Sequence, residues 1–66
     1  MIDPVPGSLA VVTAAIVPGG LGEVSISFGN RSAVYPAIAD EPFAVGDEVV
    51  VVRRVEGKVV HVTAFV

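Results

Sequence analysis

At 66 residues the chain is long enough for one small domain, and a domain of that size buries only about 60% of the surface its unfolded form exposes. Apolar residues make up 53% of it, cysteine is absent and the net charge is −3, which excludes disulfide staples and cysteine zinc sites and argues against nucleic acid or anionic lipid as principal partners, because phosphate binding is driven by clustered cations. The mean hydropathy of +0.79 comes largely from valine, and the longest apolar candidates, residues 9–12 and 49–52, are strand-sized rather than the ~20 residues of a membrane helix.

Residues 1–8 hold two prolines and a glycine and read as a lead-in; with no basic n-region and no apolar h-region they do not form a signal peptide. Residues 9–17 follow as the first strand. Their alanines suit a helix, but Val11, Val12 and Thr13 and the following Pro18-Gly19-Gly20 favour a strand that ends in a turn. Residues 22–28 show the cleanest pattern. Val24, Ile26 and Phe28 share one face, and Glu23, Ser25 and Ser27 share the other, so the sheet has one buried and one wet side. Gly29-Asn30 is a two-residue hairpin turn, since both residue types tolerate positive φ.

A third strand spans residues 31–39. Pro36 cannot donate to a ladder, which predicts an edge position or a bulge there; the pattern does not set which face of this strand points inward. Residues 40–46 are too short a connection for a crossover helix between parallel strands. In the fourth strand Val49, Val51 and Val55 fall on one face with Arg53 among them. Val50 and Val52 fall on the other, with Glu48 and Arg54 at its ends, so the middle is apolar on both sides. The turn Val55-Glu56-Gly57-Lys58 leads into a fifth strand with Val60, Val62 and Ala64 on one face and Val59, His61, Thr63 and Phe65 on the other. Five short strands with regular turn signals predict an all-β protein, a small five-stranded antiparallel barrel over residues 9–66. Closure also removes the free edge that a valine run would otherwise offer to aggregation.

Chemistry is hard to find in this pattern. Nucleophilic catalysis needs a nucleophile, a base and an orienting acid. The serines of strand two look like a solvated face, and His61, the single histidine, sits mid-strand between valines as a partly exposed strand residue. Asp40-Glu41 and Asp47-Glu48 lack the spacing of a calcium loop and read as solvated turns. Gly19-Gly20-Leu21-Gly22 precedes a strand, whereas a phosphate cradle uses a helix N-terminus. Arg53 and Arg54 are adjacent on a strand, so at most one faces a given partner. Single-stranded nucleic acid binding, the alternative reading for such a barrel, needs a cationic groove with aromatic platforms. Tyr35 is the best stacking candidate, with few cations around it; Phe28 belongs inside. The expectation is a non-enzyme with no cofactor and no metal, binding protein through an exposed face. Its candidate residues are Leu21, Ser25, Ser27, His61 and Thr63, with Phe43 expected to plug a barrel end instead.

The order Ile16-Val17-Pro18, Gly22-Glu23-Val24, Gly29-Asn30-Arg31, Pro36-Ala37, Asp40-Glu41-Pro42-Phe43, Val45-Gly46, the valines of residues 49–52 and Gly57-Lys58-Val59-Val60-His61-Val62 resembles the NfeD C-terminal domain family from about residue 7 to the end. Many members run Pro-x-Gly-x-Val where this chain has the longer turn Pro18-Gly19-Gly20-Leu21-Gly22-Glu23-Val24. The resemblance implies an OB-fold-like barrel, usually attached behind transmembrane helices of a prokaryotic membrane protein and associated with stomatin- and flotillin-type scaffold proteins. Such a domain would be soluble, with no direct insertion of this segment into the membrane and no nucleic-acid partner. Some longer members carry a separate serine protease domain, of which this chain shows nothing, and the barrel itself has no catalytic residues to carry across.

Overall fold

Local signals and observed strands agree closely along most of the chain. The structure is a computed structural model that describes residues 5–65; the lead-in residues 1–4 and the last residue of the expected barrel lie outside the described residues. Among the described residues five strands form: β1 (Leu9–Ala14), β2 (Gly22–Phe28), β3 (Arg31–Ile38), β4 (Glu48–Glu56) and β5 (Val59–Ala64). They close into a barrel in the order β1-β2-β3-β5-β4.

One pair departs from the antiparallel expectation. β3 and β5 run parallel, joined at Ala37–Val60 and Ile38–His61. No crossover helix is needed, because β3 and β5 are not consecutive. The chain passes from β3 into β4, and the β4–β5 hairpin then folds so that β5 lies between them. Both hairpins use the same device. Gly29 (φ +63°) and Gly57 (φ +58°) occupy the first of two turn positions, and among the described residues no non-glycine residue has positive φ. That is the primed-turn geometry whose twist matches a hairpin, and Asn30 does not need the positive φ it would tolerate.

Alternation sets the core. Ala10 and Val12, Val24 and Ile26, Tyr35 and Ala37, Val49 and Val51, and Val60 and Val62 point inward from the five strands, joined by Ile16, Ala39 and Phe43 from the connections. Tyr35 is buried, which corrects its reading as a stacking platform: the register with β2 places it opposite Val24, a core residue. Pro36 sits in the edge position expected of it. It lies opposite Glu23, and pairing with β5 starts only at Ala37.

The first strand is shorter than its apolar run. The β1–β2 register shifts between Val12 and Ala14, and the chain bends out of the sheet. Ile16 pairs with Phe43 instead, and the two connections close that end of the barrel. Gly22 permits the bend: a Cβ there would run into Ile16 and meet the carbonyl oxygens of Ala15 and Ala14 at 2.7 and 2.8 Å.

β4 also differs from simple alternation. Its register against β5 shifts between Val51 and Arg53 and again between Arg54 and Glu56. Each bulge inserts a residue and resets the faces. Val55 is therefore 45% exposed while Val49 and Val51 are buried, which corrects its expected place on their face. Upstream of β1, Gly7 donates its N–H to the Val51 carbonyl (2.7 Å) and the Ser8 carbonyl accepts from Val51 N–H (2.9 Å), so the end of the lead-in prolongs the β1–β4 ladder.

Candidate functional site

The outer surface of β1, β2 and β3 carries apolar side chains where a small barrel usually shows polar ones. Pairing aligns Val11 with Ser25 and Ser25 with Val34 across the three strands. One step along, Leu9 pairs with Val50, and Val50 with Thr63. Leu9, Val11 and Val34 are 51%, 43% and 57% exposed. Beside Leu9 and Val11 runs an open groove of about 370 Å³, lined by them and by Ser8, Ser25, Ser27 and Glu48; Val34 lies outside it, across Ser25. Exposed apolar side chains beside a groove rimmed by polar groups are a mark of an interaction site.

Sequence reasoning found part of this face. Ser25 and Ser27 lie within it, and Thr63 stands at its margin beyond Val50. Leu21 is exposed in the β1–β2 connection, at the barrel end that also carries the β3–β4 connection. Leu9, Val11 and Val34 carry no such signal in the sequence. The first two sit in a run apolar on both faces, which reads as a fully buried strand. For β3 the pattern defines no inward face, so Val34 has no recognisable side.

His61 occupies a different flank. It neighbours Ile38 on β3 and Arg53 on β4, its side chain is 18% exposed, and Nε2 lies 3.6 Å from Asp40 Oδ2. Nδ1 is buried with no hydrogen-bond partner among the described residues. The serines of β2 are separated from β5 by β3 on one side and by β1 and β4 on the other, so Ser25, Ser27 and His61 do not form a nucleophile–base pair. Phe43 is buried at the end of the barrel, as a plug.

Asp47 and Glu23 are engaged in structure. Asp47 Oδ2 accepts the Ala44 N–H at 2.9 Å, and Asp47 N–H donates to the Ala44 carbonyl at 3.1 Å. The turn so formed docks on β1 through Gly46 N–H to Val12 O (2.8 Å) and Val12 N–H to Asp47 O (3.0 Å). Glu23 Oε1 accepts from Thr13 Oγ1 at 2.9 Å, tying β1 to β2. Among the described residues no group of three or more His, Cys, Asp or Glu is placed to hold a metal ion, and no helix is long and apolar enough to cross a membrane.

The family model of the NfeD C-terminal domain matches residues 9–63. In fold and sequence the chain is similar to the soluble domain of the NfeD protein YuaF from Bacillus subtilis, whose solution structure is known. The identity is 31%, covering 88% of this chain and 70% of that one, with a TM-score of 0.73. No curated protein matches the chain.

Proposed function

The chain belongs to the NfeD C-terminal domain family, and from that premise we propose that it is a non-catalytic protein-interaction domain of a membrane-anchored protein, docking on a stomatin- or flotillin-type scaffold. The docking face is the outer surface of β1, β2 and β3. Leu9, Val11 and Val34 supply its apolar contacts, Ser25 and Ser27 its hydrogen-bonding groups, and Thr63 its margin. Leu21 and His61 lie away from this face.

The observation that carries the reading is the exposure of Leu9 and Val11 beside an open groove that Ser25 and Ser27 also line, with Val34 exposed on the far side of Ser25. Covering apolar surface contributes about 25 cal/mol per Å², and a few well-buried anchors dominate the affinity of most interfaces. A backbone already fixed by barrel closure loses little entropy when a partner binds. The test is co-purification. The intact protein, solubilised from its native membrane, is expected to retain a stomatin- or flotillin-type scaffold, and a preparation that never retains one contradicts the assignment.

A further inference from the structure

Barrel closure leaves part of β3 without a neighbour. β5 joins β3 only at Ala37 and Ile38, so residues 31–36 have β2 on one side and, among the described residues, no strand on the other. Counting from the Gly29-Asn30 turn, hydrogen bonds to β2 are exchanged at Phe28–Arg31, Ile26–Ala33 and Val24–Tyr35, by the alternation of an antiparallel ladder. The N–H and C=O of Ser32 and Val34 therefore point away from β2, into the gap. Both residues are exposed. Pro36 ends the row of donors, a common way to restrict edge pairing.

The charges around this gap are predominantly basic. All four Lys and Arg residues of the chain belong to the half of the barrel where both hairpins turn: Arg31 opens β3, Arg53 and Arg54 lie in the second half of β4, and Lys58 is in the β4–β5 turn. Arg54 is already engaged. Asp40, Glu41, Asp47 and Glu48 lie at the opposite end, in or beside the β3–β4 connection, and Glu23 near it at the start of β2. Glu56 is the described carboxylate on the basic half.

We propose that the free edge of β3 takes up a short extended segment of an acidic partner protein, which pairs through its backbone with Ser32 and Val34 and sets its carboxylates against Arg31 and Lys58. Strand addition of this kind draws affinity from main-chain hydrogen bonds and specificity from flanking side chains. A second copy of the chain fits poorly, because pairing β3 with its own copy brings two basic ends together. Nucleic acid fits poorly as well: Tyr35 is buried and Phe28 is packed against the core, so this end presents no aromatic platform. The proposal uses a strand edge rather than the outer face and stands independently of the scaffold reading.

The experiment is an NMR titration of the 15N-labelled 66-residue chain with a ten-residue peptide of alternating Val and Glu. The amides of Ser32 and Val34 are expected to shift and to exchange more slowly. An alternating Val-Lys peptide should leave them unchanged, and the R31E/K58E double variant should weaken the Val-Glu peptide at least tenfold. Val11→Glu, on the outer face, should leave its affinity unchanged. Val34→Pro, which deletes an N–H that β2 does not use, should abolish binding; if that variant loses its dispersed spectrum, R31E/K58E decides the matter. The proposal is overturned if shifts map to Leu9 and Val11 instead, or if the Val-Lys peptide binds as well. It also fails if the two amides respond to protein concentration alone, as a second copy would cause, or if an oligodeoxythymidine moves them more strongly than the peptide.

Discussion

Ile16 and Phe43 exchange both backbone hydrogen bonds, each 2.9 Å long, across the end of the barrel. The contact joins the β1–β2 connection to the β3–β4 connection and places the side chains of both residues in the core. Phe43→Ala removes the ring that fills this end and leaves a cavity, at a cost of about 3 kcal/mol. In a domain whose total stability is only several kcal/mol, urea denaturation should show a large fall in midpoint. Phe43→Leu keeps most of the volume and should cost less than about 1.5 kcal/mol.

Gly22 makes the sharpest steric prediction. The Ala14 and Ala15 carbonyl oxygens that a new Cβ would strike belong to the backbone, so they cannot rotate away. Gly22→Ala should cost about 1–3 kcal/mol, the range for forced overpacking. Gly20→Ala is the control. Its nearest obstacle is a Val17 methyl at 2.7 Å, on an exposed side chain free to move. Thermal melts of the two variants should separate clearly, with Gly22→Ala the lower.

Asp47 holds the turn that docks on Val12. Replacing it with alanine deletes the acceptor for Ala44 N–H and should cost about 1 kcal/mol, the usual net value of one hydrogen bond. Asp47→Asn keeps a carbonyl oxygen at the same place and should recover more than half of that loss. Hydrogen exchange at Ala44 and Gly46 is the local readout, and faster exchange in the alanine variant alone is the expected result.

The parts of this fold written in local signals are those read correctly from sequence. β2 begins and ends where its alternation does, and both hairpins turn at the glycines that mark them. The inward faces of β2 and β5 follow from period two. What failed depends on residues far apart in the chain. The parallel β3–β5 contact arises only when the second hairpin packs beside β3, and no window of sequence contains both. The two bulges that expose Val55 respond to the partner strand. Tyr35 looked like a surface aromatic because nothing local fixed the face of β3, and the same gap hid Val34. The candidate face was half legible for the same reason: Ser25 and Ser27 alternate with core residues, whereas Leu9 and Val11 are lost in a run that reads as wholly buried.

One comparison tests the outer face of β1, β2 and β3 directly. The affinity of the intact protein for a purified stomatin- or flotillin-type scaffold is measured for the unmodified chain, for V11E/V34E and for L21E. Both valines are outward, so the double variant should keep its melting temperature, as exposed substitutions away from special backbone positions usually do. The prediction is that V11E/V34E binds at least tenfold more weakly while L21E binds as the unmodified chain does. A folded V11E/V34E variant with unchanged affinity would contradict the assignment of this face.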